Sequence, residues 1–121
     1  MMRLLFVLLL LLSLSGLNPA HAKRAQVEKV SPVVHEGVRY TAPNTDGKRG
    51  IVEAWDVASG QKLWSVTVFK ISIDPLLEQD VQWVFVKELK LVGGKLLVVD
   101  ENGRKYLVDL KSRMVTKSEG E

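Results

Sequence analysis

The sequence contains no cysteine, and histidine occurs at only two of its 121 positions. The first absence excludes disulfides, thiol chemistry and a lipid anchor attached through cysteine. The second leaves a transition-metal site short of imidazoles. Like charges do not cluster beyond pairs such as Lys48-Arg49 and Arg104-Lys105. The net charge of +3 is therefore spread over an ordinary solvated surface, and no nucleic-acid or lipid patch is expected. Apolar runs are short too. Leu4 to Leu14, broken only by Ser13, falls well below the ~20 residues of a membrane-spanning helix.

That run has the form of a cleavable export signal. Arg3 supplies a thin positive start, Leu4–Leu14 an apolar centre, Ser15-Gly16-Leu17-Asn18-Pro19 a helix break, and Ala20-His21-Ala22 an A-x-A site. Cleavage is expected after Ala22, with residues 1–22 as signal peptide, no stable membrane anchor afterwards, and a periplasmic or secreted destination. Residues 23–29 are polar and read as a flexible leader. Residues 30–117 then read as a single β domain, and residues 118–121 as a fraying tail. Without disulfides, that domain has to hold itself together by its core.

The stretch Gly50–Trp64, GIVEAWDVASGQKLW, carries the clearest local signal. Ile51, Val52 and Trp55 are strand formers, Ala58-Ser59-Gly60 breaks the run, and Lys62 resumes it: a hairpin, with Asp56 placed to cap the turn's amides. Before it, Val30–Val34 and Val38–Ala42 read as strands around Glu36-Gly37, and Pro43–Gly50 as a charged loop. After it, Trp64, Val66 and Val68 share one parity while Phe69, Ile71 and Ile73 share the other. This predicts a β-bulge near Val68-Phe69, with burial of both faces as the alternative.

Asp74-Pro75-Leu76-Leu77-Glu78 carries helix-start residues, so residues 74–80 read as a short helical connector between blade-like halves 30–73 and 81–117. From Val81 to Leu91, the residues Val81, Trp83, Phe85, Leu89 and Leu91 fall on one face, broken by Lys87. Val84 and Val86 fall on the other with Gln82, Glu88 and Lys90. Turns at Gly93-Gly94, Asn102-Gly103 and Lys111–Arg113 then separate three more strands. The class is all-β: a small antiparallel sandwich or roll of about seven or eight strands, built from two meanders.

Ser31-Pro32-Val33-Val34, Gly37-Val38, Tyr40, Asp46-Gly47 and the spacing Ala54-x-Asp56-x-x-Ser59-Gly60-x-x-x-Trp64 resemble one repeat of the pyrroloquinoline-quinone-type (PQQ-like) β-propeller family. The resemblance implies that Ala54, Asp56, Gly60 and Trp64 are structural, with the tryptophan packing between neighbouring blades. A weaker echo runs from Leu89 to Val115, with Asn102-Gly103 in place of Asp-Gly and Asp109 as the repeat aspartate. There Val108 stands for the alanine, no glycine follows Asp109, and Lys117 occupies the tryptophan's offset. Two repeats cannot close a propeller, which takes roughly four to eight blades. The quinone cofactor is not expected, because in that family many blades build its site.

Chemistry is sparse. His35 is the one histidine beyond the expected cut, and Ser31, Ser59, Ser65 and Ser72 lack a nucleophile-elbow context. Asp74, Glu78 and Asp80 form the densest acidic group, without calcium-loop spacing. No catalytic, cofactor-binding or metal-binding residue is assigned. Trp55, on the parity of Ile51 and Glu53, together with Asp74, Glu78 and Asp80, makes the candidate interaction surface. The leading expectation is a non-enzymatic exported module that binds protein, peptide or glycan through a sheet edge or face. Two alternatives stay open: a small metal-dependent or hydrolytic enzyme using His35 or the acidic group, and a structural oligomer of blades.

Overall fold

The computed structural model describes residues 27 and 29–118. The expected signal peptide, most of the leader and the last three residues lie outside them. No helix among the described residues is long and apolar enough to cross a membrane.

Eight antiparallel strands form two four-stranded meanders. The first sheet is β1 (Val33–His35), β2 (Val38–Thr41), β3 (Arg49–Asp56) and β4 (Lys62–Lys70). The second is β5 (Val86–Val92), β6 (Lys95–Asp100), β7 (Lys105–Asp109) and β8 (Val115–Lys117). Each sheet has the strand order of the sequence, with every connection a short turn except the longer loop over residues 42–48 between β2 and β3. β1 approaches β5, and the sheets share one hydrophobic core. Tyr40, Val52, Ala54, Val68 and Phe69 meet Val86, Leu89, Leu96, Val98, Tyr106 and Val108, all buried. Removing such side chains from water is the main favourable contribution, about 1.5–3 kcal/mol for each large one.

Two bulges shape β4. Trp55 pairs with Lys62 and Ala54 with Trp64, so Leu63 is the extra residue of the first. Ile51 pairs with Thr67 and Gly50 with Phe69, which leaves Val68 over in the second. The parity change after Val68 is thus the expected bulge: Val68 and Phe69 both reach the one core across it, while Ser65 and Thr67 leave the other face exposed. Bulged twice and ended by Lys62 and Lys70, β4 is a poor template for adding a strand, although it is an edge of its sheet.

Residues 81–91 depart from the continuous alternating strand read in the sequence. A single 3-10 turn covers Asp80–Gln82, and the strand begins only at Val86. Between them, Val84 donates to the Gly47 carbonyl at 3.0 Å and Phe85 to the Glu101 carboxylate at 3.1 Å, which draws the segment off the sheet. A further bulge follows: Val86 pairs with Asp100 but Glu88 with Val99, so Lys87 is the extra residue. That one-residue slip turns Val86 to the core alongside Leu89, against the expected parity.

The helical connector is also corrected. Asp74 does accept from the Leu76 amide at 2.9 Å, and Leu77 donates to the Asp74 carbonyl, but the turn does not propagate into a helix. Leu76, 90% exposed, has no core to pack against, and an unpacked turn cannot repay its nucleation. The Gln82 side chain closes the loop instead, accepting from the Asp74 amide and donating to the Asp74 and Glu78 carbonyls.

The two halves are tied together between β2 and β3. Asn44, with φ of 54°, donates to the Val86 carbonyl and accepts from the Val86 amide, both at 2.9 Å. Its side-chain amide so takes the place of a neighbouring strand at the start of β5.

Candidate functional site

Two turns share one hydrogen-bonding plan, with one additional amide on the second aspartate. At residues 56–61, the Asp56 carboxylate accepts from the Ser59 amide at 2.9 Å, and the Ser59 hydroxyl accepts from the Gln61 amide at 3.2 Å. Gly60 has φ of 76°. At residues 109–114, the Asp109 carboxylate accepts from the Lys111 and Ser112 amides, each at 2.9 Å, and the Ser112 hydroxyl from the Met114 amide at 3.2 Å. There Arg113 takes the left-handed position, with φ of 65°. Asp and Ser at this spacing satisfy the turn's amides, and the fourth position needs positive φ. Glycine takes it without strain, whereas arginine has to be held there. What holds it is visible: the Arg113 guanidinium lies over the Trp64 ring of the other sheet, 5.3 Å from its centre. Trp64 is half-buried, with the Tyr40 ring 5.9 Å away.

These hydrogen bonds set the local electrostatics. The Ser59 hydroxyl and then its amide hold the Asp56 carboxyl below the usual range. The Ser112 and Lys111 amides lower Asp109, and the Lys48 amide lowers Asp46. A depressed folded-state pKa adds stability that is fully present above the unfolded value of about 3.9 and is lost as pH falls from there through the folded-state pKa. The urea midpoint should therefore be level from neutral pH to about 5 and fall below about 4. An Asp56→Asn, Asp109→Asn double variant should show a shallower acid limb; a limb as steep as the parent's would deny these caps the role.

Because the two turns are equivalent, the faces of the two sheets can be compared position by position. Two residues before Asp56, Ala54 faces the other sheet and is fully buried. Two residues before Asp109, Leu107 lies on the opposite face and is only half-buried. The alanine's place by spacing is thus Leu107, not Val108 as expected; Val108 corresponds to Trp55 and is the fully buried residue of the pair. The sheets thus stack head to tail: the face the first sheet buries corresponds to the face the second turns outward. On that outward face Leu97 pairs with Leu107, with Val99 and Val92 alongside, all partly exposed. Lys90, Lys95 and Lys105 fringe this apolar strip, with Glu88 at one edge.

The outward face of the first sheet differs. It carries Arg39, Thr41, Glu53, Ser65 and Thr67 together with the apolar Val34, Ile51 and Trp55, of which Val34 is well exposed. The Trp55 indole N–H donates to Glu53 at 3.3 Å; Lys62 pairs with Glu53 at 3.3 Å and sits 5.5 Å from the Trp55 ring centre. A hollow of about 300 Å³ lies between Trp55, Asp56, Val57, Gly60 and Arg39. On the other side of Arg39, a larger one of about 470 Å³ runs between Lys29, Val30, Pro32 and Pro43.

The remaining candidates do not come together with these. Asp74 and Glu78 line the connector, where Asp74 caps its own turn and Gln82 binds both backbones. Asp80 opens the 3-10 turn. No group of three metal-binding side chains occurs among the described residues. His35 is one-third exposed in β1, its imidazole 3.7 Å from the Glu36 carboxylate, and no hydrogen bond joins it to a serine among the described residues. Arg39 and Leu107 were not singled out by sequence reasoning. Their alternation within strands was legible, but which face each strand turned outward was not.

The chain matches no protein-family model and no curated protein.

Proposed function

We propose that this chain is an exported, non-enzymatic binding module of PQQ-like repeat type, docking a protein partner through the outward face of the second sheet. The observation that carries the reading is the half-exposed strip Leu97–Val99–Leu107, on the repeat face that the first sheet uses to bury its neighbour. A sheet surface already suited to packing against another sheet, left partly wet, is a contact surface in waiting. The repeated Asp–Ser turn and the placement of Trp64 beside the neighbouring sheet support the repeat reading. A ring of head-to-tail copies would require the first sheet's outward face to be the apolar complement. Arg39, Glu53, Ser65 and Thr67 interrupt Val34, Ile51 and Trp55 there, a mixed face that favours a foreign partner over a ring.

The test is affinity capture from the compartment that receives the exported chain, comparing the parent with Leu107→Glu. A specific protein held by the parent should be bound at least about tenfold more weakly by the variant, at an unchanged fold. Equal capture by both chains would remove this face from the proposal. A concentration-dependent oligomer abolished by Leu107→Glu would replace the foreign partner with a second copy.

A further inference from the structure

We infer that the larger hollow on the first sheet is a binding site for the C-terminal carboxylate of an apolar peptide, with Arg39 as the principal ligand-contacting residue. This site lies on the opposite side of the molecule from the docking face proposed above and does not depend on it.

Charge comes first. Lys29 and Arg39 both line the hollow, and neither forms an ion pair among the described residues, whereas Arg49, Lys62 and Arg104 each sit beside a carboxylate. Two uncompensated cations beside one concavity attract an anion. Arginine's planar fork suits a carboxylate, which it can hold through two parallel hydrogen bonds. Shape comes second. The walls are Val30, Pro32, Pro43 and Ala42, apolar and partly fixed by proline rings, so little order has to be created on binding. The volume of about 470 Å³ falls in the usual range of roughly 300–1,000 Å³ for pockets that hold small ligands. Apolar walls around a cationic mouth select a hydrophobic body with one negative group, and argue against a sugar or a polyphosphate.

Position comes third. Arg39 is in β2, an inner strand of the sheet, paired with Val34 on one side and Trp55 on the other. Its backbone is fixed, and its side chain borders both hollows. A peptide seated by its terminal carboxylate at Arg39 has apolar walls on one side and the Trp55 ring on the other. The Asn44 amide, also at the rim, is already committed to Val86 and acts as a strut for the wall rather than as a ligand contact.

The experiment is isothermal titration of the full chain with three synthetic probes. These are N-acetyl-Ala-Val-Leu-Val as the free acid, the same peptide as its C-terminal amide, and an amidated peptide with one internal glutamate. The free acid should bind at least about tenfold more tightly than either amide, and Arg39→Gln should lose about that factor. Lys29→Gln should lose less, since an ammonium offers a point charge without the fork. Arg39 is exposed, so melting of the variants should match the parent and separate lost binding from lost fold. Equal binding of acid and amide, or undiminished binding by Arg39→Gln, would overturn the inference. So would tighter binding of the internal-glutamate probe, or no binding of any probe at millimolar concentration.

Discussion

Asp100→Ala should lower stability by about 3 kcal/mol or more, the cost of breaking a buried, hydrogen-bonded charge from one side. Asp100 is the only buried charged residue among the described residues, with no solvent exposure. One carboxylate oxygen accepts from the Asn102 and Arg104 amides, both at 2.9 Å, and so shapes the turn between β6 and β7. The other accepts from the Arg104 side chain at 3.0 Å and the Tyr106 hydroxyl at 3.1 Å. These bonds do not weigh equally. The Arg104 side chain is 43% exposed and rehydrates when its partner is removed, so the ion pair itself contributes little. The Tyr106 hydroxyl lies in the core, where burial and then the Asp100 charge raise its pKa, and it has no water to turn to. Tyr106→Phe removes that single bond and should cost about 1 kcal/mol. In a denaturant series followed by tryptophan fluorescence, the double variant should fall short of the sum of the two single effects by a measurable coupling. Strict additivity, or an Asp100→Ala loss below about 1 kcal/mol, would show that the turn does not depend on this carboxylate.

Gly50→Ala is expected to be nearly as damaging, by about 2–3 kcal/mol, through overpacking rather than a lost bond. A Cβ on residue 50 would lie 2.2 Å from Cε2 and 2.4 Å from Cζ of Phe69, its cross-strand partner. The ring cannot swing aside cheaply, because it is buried and stacked on Tyr106 of the second sheet with centres 5.1 Å apart and planes 22° apart. Moving it disturbs the place where the two sheets meet. With the thermal response of a domain this size, the melting temperature should drop by roughly 10–20 °C. Phe69→Leu makes the mechanism testable. If the clash is the cause, adding Gly50→Ala to Phe69→Leu should cost much less than adding it to the parent. If the alanine is equally harmful in both backgrounds, backbone freedom and not the ring explains the glycine.

Much of the local structure was legible along the chain. Asp56, Ser59 and Gly60 specify their turn through neighbours within five residues, so the Gly50–Trp64 hairpin could be read directly. The parity change at Val68-Phe69 announced a bulge for the same reason. The Lys87 bulge was hidden because its cause is remote: Val84 and Phe85 are drawn away by Gly47 and Glu101. The connector misled because its capping residues are real, but nothing packs on the turn they open. As for the candidate surfaces, Trp55 was legible from its parity with Glu53. Arg39 became visible only once β2 was registered between β1 and β3.

By itself the sequence determined an all-β chain of two antiparallel meanders with Asp-capped turns, because hairpins are specified by local backbone chemistry and period-two patterning. Tertiary structure alone decided that the two meanders stack head to tail, that Val86 joins the core, and that Arg113 covers Trp64. It also decided which faces remain wet, and hence where a partner could bind. Those outcomes depend on contacts between residues tens of positions apart, and a one-residue slip at a bulge is enough to exchange the two faces of a strand.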